Sequence, residues 1–312
     1  MNLNKKSFII IILVLLIGSV GLIYKVARLI NHSEINNSEI NNINALNEKK
    51  TPKVNSEDEK STPKQTIELG IDDSSKIEKK VVEVVPIFHV HNSKIPILMY
   101  HSISYEKGNT ARIPKEKFKE QMKYLKDNKY TTLTVDELYS YMQTGKLVPI
   151  KPIVITFDDG YKDNYTNAYP ILKEFGLKAT VFVITNTIDT EKNYLTSNEI
   201  RSMDSNNMRI ASHTTAHEQL DKISYSDNVK TMTASKAKLE KILGRNINYF
   251  AYPYGVNNDS TRKAAKESGY KLAFSTQYGW IDKDDNIYSL GRIFVSSNLN
   301  LEQFKAKLNP KK

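Results

Sequence analysis

Two side-chain patterns in this chain can jointly hold a metal ion and move a proton. Adjacent carboxylates stand in Thr156-Phe157-Asp158-Asp159-Gly160, and two imidazoles four residues apart stand in Ser212-His213-Thr214-Thr215-Ala216-His217. Neighbouring ionised carboxylates repel, so at the end of a buried strand the pair invites a cation or a shared proton. On its own the Asp-Asp-Gly stretch also reads as an exposed turn with Gly160 at positive φ. The histidines sharpen the reading. Imidazoles four apart converge on one cation if their segment turns helically, and an adjacent strand end supplies a carboxylate. One carboxylate and two imidazoles leave coordination positions open, the mark of a catalytic site. A cation there lowers the pKa of bound water towards neutrality and polarises a carbonyl oxygen, and the second carboxylate is then available as general base. The same ligand set also suits an iron(II) oxygenase, a reading that leaves Asp158 without a role.

Such groups must be delivered by regular elements. Residues 153–157, apolar and rich in β-branched side chains after Pro152, read as a strand covered on both faces. Further strands are expected at 96–100, 131–134, 180–184, 208–212, 247–252, 271–275 and 290–295. Between them Pro114 opens a helix with Phe118, Met122 and Leu125 on one face, and Thr134 with Glu137 forms a capping box for a helix carrying Leu138 and Met142. A helix through Ile171, Leu172 and Phe175 stops at Gly176, a long one over 227–243 stops at Gly244, and a short one covers 262–267. Eight strands with mostly helical connections predict a single distorted parallel (β/α) barrel, with a doubly wound open sheet as the alternative. Either fold places function at the C-terminal strand ends. That rule gathers His101, Asp158, Asp159, His213, His217, Tyr254 and Arg292, including three of the six histidines in the chain.

From residue 95 to 295 the chain resembles the polysaccharide deacetylases of carbohydrate esterase family 4. The resemblance rests on the Asp-Asp and His-His motifs above and on Tyr252-Pro253-Tyr254-Gly255. It implies Asp158 as catalytic base, and Asp159, His213 and His217 as ligands of a divalent metal, usually Zn2+. It also implies hydrolysis of the N-acetyl group of N-acetylglucosamine residues, with the backbone N–H of Tyr254 supporting the oxyanion. Two motifs depart from the family. Ala251 occupies the place of an arginine that orients the base, and the late histidine acid is missing. Leu98-Met99-Tyr100-His101-Ser102 is similar to the N-terminal motif of a circularly permuted branch that includes poly-N-acetylglucosamine deacetylases. By that likeness His101 becomes the acid that protonates the leaving amine, and Arg292 the candidate to replace the missing arginine, with a barrel-rim salt bridge as its plainer reading. A catalytically silent wall-binding module on the same fold is the competing function. Trp280, the only tryptophan, is a candidate wall of a sugar pocket or a core aromatic.

The remainder of the chain concerns location. Lys5 and Lys6 precede an apolar run at 7–24, whose roughly 27 Å of helix nearly matches a bilayer core. We read residues 1–6 as a cytoplasmic tail and 7–24 as a single-pass signal anchor, an uncleaved alternative to a signal peptide. Residues 25–90, poor in aromatics and rich in Asn, Ser, Glu and Lys, read as a flexible extracellular stalk. His89 and His91 read as linker residues. Residues 91–312 form the catalytic domain. The formal charge of +10 is scattered, without the basic clusters or aromatic interleaving of a nucleic-acid surface, and suits an anionic wall polymer outside the membrane. With no cysteine, neither a lipid-modified N-terminus nor a disulfide is available.

Overall fold

The computed structural model describes the backbone of residues 89–90 and residues 94–309. The expected tail, membrane anchor and His91, and all of the expected stalk but its last two residues, lie outside the described residues. Among the described residues no helix is long and apolar enough to cross a membrane.

The three strands richest in apolar residues are buried along their whole length. They are β2 (Ile95–Tyr100), β5 (Pro152–Phe157) and β6 (Ala179–Val183). With β7 (Met208–Ser212), β8 (Tyr249–Ala251) and β9 (Leu272–Phe274) they form a parallel sheet in the order β2-β5-β6-β7-β8-β9. The sheet curls. Leu290 bridges back to Phe274 of β9, and β11 (Ile293–Phe294) then pairs in parallel with Leu98 and Met99 of β2.

Pleat alternation divides the apolar residues between two clusters. Ile153, Ile155, Val181, Val183 and Phe250 face the helices, whereas Ile97, Val154, Phe182, Ala211 and Ala251 line the inside of the curl. The helical layer comprises α1 (Lys115–Asp127), α3 (Tyr169–Phe175), α4 (Ser197–Asp204), α5 (Tyr225–Leu243), α6 (Asp259–Glu267) and α7 (Leu301–Lys307), whereas α2 (Val135–Thr144) packs its buried residues with the inner cluster. The caps follow the sequence: Thr134 and Glu137 close a capping box at α2, and Gly145, Gly176 and Gly244 end α2, α3 and α5 in left-handed conformations.

Four features differ from expectation. Pro114 caps α1 from outside, and the helix begins at Lys115. The strand expected at 131–134 is only β3 (Thr131–Thr132), paired with the first residues of β5 and off the curl. Among the described residues the curl therefore has seven parallel members in place of eight: Leu133 still donates its N–H to the Ile153 carbonyl at 2.8 Å, but Thr134 already caps α2. A short antiparallel strand, β10 (Trp280–Ile281), covers the free edge of β2 at its start, and β1 (His89–Val90) pairs with β4 (Val148–Pro149). Helices α4 and α7 were not anticipated, although Thr196 with Glu199 and Asn300 with Gln303 carry their capping boxes.

Candidate metal and catalytic site

The pleat parity that sorts the core also aims the chemistry. Asp158 continues the inward series Val154 and Thr156, His101 continues Ile97 and Met99, and His213 continues Ala211, so all three leave their strands on the inner side. The chain then turns sharply. Asp159 and Gly160 both take positive φ (73° and 79°), and a Cβ on Gly160 would press to 3.0 Å from Val183. The second histidine arrives differently from expectation. Thr214 (φ 66°) and His217 (φ 60°) turn left-handed, so the two imidazoles meet through a tight non-helical turn. Thr214 Oγ1 accepts the His217 N–H at 3.0 Å, and the carbonyls of Thr214 and Thr215 accept from Thr185 and Asn186. Glu218 braces the turn by accepting from the hydroxyls of Thr215 and Thr231.

The result is a compact ligand set. Nε2 of His213 and Nε2 of His217 each lie 3.4 Å from Asp159 Oδ1. Two ligands about 2.05 Å from an ion at a tetrahedral angle stand about 3.3 Å apart, so the set already has the edge length of a zinc site. Asp159 Oδ1 is buried with no hydrogen-bond partner, a costly state that a cation relieves. His213 Nδ1 donates to the carbonyl of Ala251 at 2.8 Å; a carbonyl only accepts, so the proton sits on Nδ1 and Nε2 is left as a lone pair for the ion. Burial and neighbouring His213 lower His217, which favours its neutral, ligating form; in His213 the two aspartates override burial and raise it. These residues fit a divalent metal.

Asp158 stands outside this set. Only 2% exposed, it receives two charge-assisted hydrogen bonds of 2.7 Å from Nη1 and Nη2 of Arg292, itself 0% exposed. Burial pushes the Asp158 carboxyl up, but Arg292, joined by His213 and His101, overrides it and holds it far below the usual carboxylate range. The guanidinium is fixed in turn by the Ser275 carbonyl at 2.9 Å, by Thr156 Oγ1 at 3.2 Å and by the Phe182 ring 5.6 Å beneath it. Arg292 is thus a fully buried partner of Asp158 inside the curl.

The remaining expected residues divide. The His101 ring meets Phe294 edge-on at 5.9 Å and lies near enough to both aspartates to help hold their carboxyls down. Tyr254, left-handed at φ 59°, lays its exposed ring 4.5 Å from that of His217. Trp280 does not join them. It pairs with Pro96 at the opposite end of β2 from His101 and lies partly buried against the core, the arrangement of the core-aromatic alternative. Sequence reasoning passed over a sandwich beside the site. Tyr161 stacks on Tyr194 at 5.1 Å, and Arg112 lies over the Tyr161 ring at 5.2 Å. Tyr161 directly follows Gly160, which was the one signal available.

Comparison with known proteins places this geometry. Residues 145–273 match the family model described as polysaccharide deacetylase. The Bacillus subtilis protein YxkH, which is named after that family, is 37% identical over 248 residues, covering 77% of this chain and 88% of the relative. The chain belongs to the polysaccharide deacetylase family. A poly-β-1,6-N-acetyl-D-glucosamine N-deacetylase of Staphylococcus aureus is 30% identical over 217 residues, 64% of this chain and 73% of the relative. The solved structure of the Streptococcus pyogenes deacetylase PplD in complex with acetate superposes with a TM-score of 0.67 at 33% identity, covering 70% of this chain and all of that one. The span of the deacetylase model takes in both aspartates, both histidines and Tyr254, but neither His101 nor Arg292.

Proposed function

We propose that this deacetylase removes N-acetyl groups from an extracellular N-acetylglucosamine polymer, wall peptidoglycan or poly-N-acetylglucosamine, and releases acetate. Residues 7–24 tether it to the cell membrane with the catalytic domain outside. The name of the Staphylococcus aureus relative supports the substrate class. The observation that carries the reading is the division of labour at the paired carboxylates. Asp159 Oδ1 sits in ligand range of two imidazoles, while Asp158 is kept out of that set and firmly ionised by Arg292.

Asp159, His213 and His217 would hold the cation, most suitably Zn2+, which acidifies water and polarises a carbonyl so that even a strongly ionised carboxylate suffices as base. Asp158 takes a proton from water as its oxygen adds to the amide carbon, and each oxygen keeps lone pairs beyond those used by Arg292. His101 gives a proton to the nitrogen as the C–N bond breaks, leaving a free amine and acetate. The Tyr254 backbone, on the His217 side, supports the negative charge on the carbonyl oxygen. The test is release of acetate and of free amine from peptidoglycan, poly-N-acetylglucosamine and chitin oligomers by the full chain. Turnover of at least one, lost about 10³-fold in Asp158→Asn with the metal retained, is expected. Negligible turnover on all three would leave the silent wall-binding module as the better reading.

A further inference from the structure

We infer that Asp163 and Asn164 are positioning residues for His101, tying the acid to the segment that carries the base and a metal ligand; this rests on the proposed deacetylase chemistry. The tie is made of hydrogen bonds to the backbone of His101 and Ile103 and to the Ser102 hydroxyl. Asp163 Oδ1 accepts the N–H of Ile103 at 2.7 Å, and Oδ2 accepts the hydroxyl of Ser102 at 2.6 Å. Asn164 Nδ2 donates to the carbonyl of His101 itself at 2.7 Å, and Asn167 Nδ2 donates to that of Ile103 at 2.9 Å. Both clamp residues lie within five positions of Asp159, so one short stretch sets the base, a ligand and the support of the acid.

The ring of His101 gives reason to need such a clamp. Its Nδ1 is buried without a hydrogen-bond partner, and its ring contact is the edge of Phe294. No polar side chain orients that nitrogen, so the imidazole is aimed through its own backbone, just past the end of β2, where Ser102 bridges to Arg112 through bonds with Ala111 and Ile113. The clamp also carries local costs that packing alone does not explain. Asn164 is fully buried, its Oδ1 has no partner, and it opens a wide π-helical turn, Asn164–Ala168. Unpaired buried acceptors are costly, and π turns occur mostly at functional sites.

The experiment separates aim from fold by leaving group. An amide nitrogen must be protonated to depart, whereas the phenolate of 4-nitrophenyl acetate leaves without a proton. In the full chain with zinc, Asp163→Ala is expected to lower kcat on N-acetylglucosamine oligomers about 10- to 100-fold with KM nearly unchanged, and turnover of 4-nitrophenyl acetate by less than about threefold. Asp163→Asn, which keeps one acceptor oxygen, recovers most of the amide activity. Asn164→Ala is the second variant and carries the same expectation. Equal losses on amide and ester, no loss on either, or failure of both alanine variants to fold would overturn the inference, because each makes the tie merely structural. A wild-type protein inactive on the amide sinks the deacetylase reading instead, and an active one with parallel losses sinks only this inference.

Discussion

Replacing Arg292 by methionine removes the cation that keeps Asp158 ionised, at little change in side-chain length. The pair is fully buried and joined by two 2.7 Å hydrogen bonds. Deleting one partner of such a pair costs about 3–5 kcal/mol, and each pKa unit corresponds to about 1.4 kcal/mol, so the Asp158 carboxyl should rise by about two to three units. In the wild type its folded value is depressed. Its contribution to stability is therefore fully present above the unfolded carboxyl value near pH 4 and is lost only as pH falls through the lower folded value. In Arg292→Met burial acts unopposed by the guanidinium and the sign reverses: the carboxylate costs stability at neutral pH and recovers it on acidification. The acid limb of kcat/KM, measured by acetate release between pH 4 and 9, should move up to the ordinary carboxylate range or above it, with a loss that is largest at the acid end and shrinks towards pH 9. The melting temperature should fall less at pH 5 than at pH 7.5. Arg292→Lys keeps charge but not the two-pronged fit and should lie between. A pH profile parallel to wild type, with activity within threefold, would refute the pairing argument.

Three other outcomes follow from the geometry. Gly255 takes φ 72°, and a Cβ there would lie 2.0 Å from Thr276 Oγ1 and 2.4 Å from its backbone nitrogen. Gly255→Ala should cost about 2–4 kcal/mol by thermal unfolding, against about 1 kcal/mol for Gly244→Ala, whose Cβ meets nothing within 4 Å. Chelation should lower the melting temperature, and zinc at a hundredfold excess over Kd should restore about 2.7 kcal/mol. His217→Ala should lose that response and Asp158→Asn keep it; a response equal in all three proteins would place the ion elsewhere. Trp280→Phe should leave KM for oligomers within twofold while costing about 1 kcal/mol of stability, and a rise in KM above fivefold would put the ring back in the sugar pocket.

The strands and the ligand set were legible because their signals are local. Met208–Ser212 is read residue for residue, the β5 run differs by one, and Thr134, Gly176 and Gly244 mark helix ends through their own conformational preferences. Strand-end logic brought Asp158, His101 and His213 to one mouth because each obeys the period of two, and Asp159 joins them through the left-handed turn that follows. Long-range pairing was not legible. The edge role of β3 depends on what lies beside residues 131–132, and Trp280 is placed by an antiparallel register with Pro96 far away in sequence. The left-handed turn at Thr214 and His217 was not legible because neither residue carries a glycine-like mark of positive φ. Thr156 escaped notice since a threonine inside a strand reads as filler, although its hydroxyl both donates to Leu98 and accepts from Arg292.

The account depends most directly on where a bound ion sits. Anomalous diffraction at the zinc edge from crystals of the zinc-loaded protein measures that position. We expect one peak per chain, within about 2.0–2.2 Å of Asp159 Oδ1, His213 Nε2 and His217 Nε2, with Asp158 held off it by Arg292. A peak at another site, or one ligated by Asp158 with its guanidinium partner displaced, contradicts the assignment of the two carboxylates.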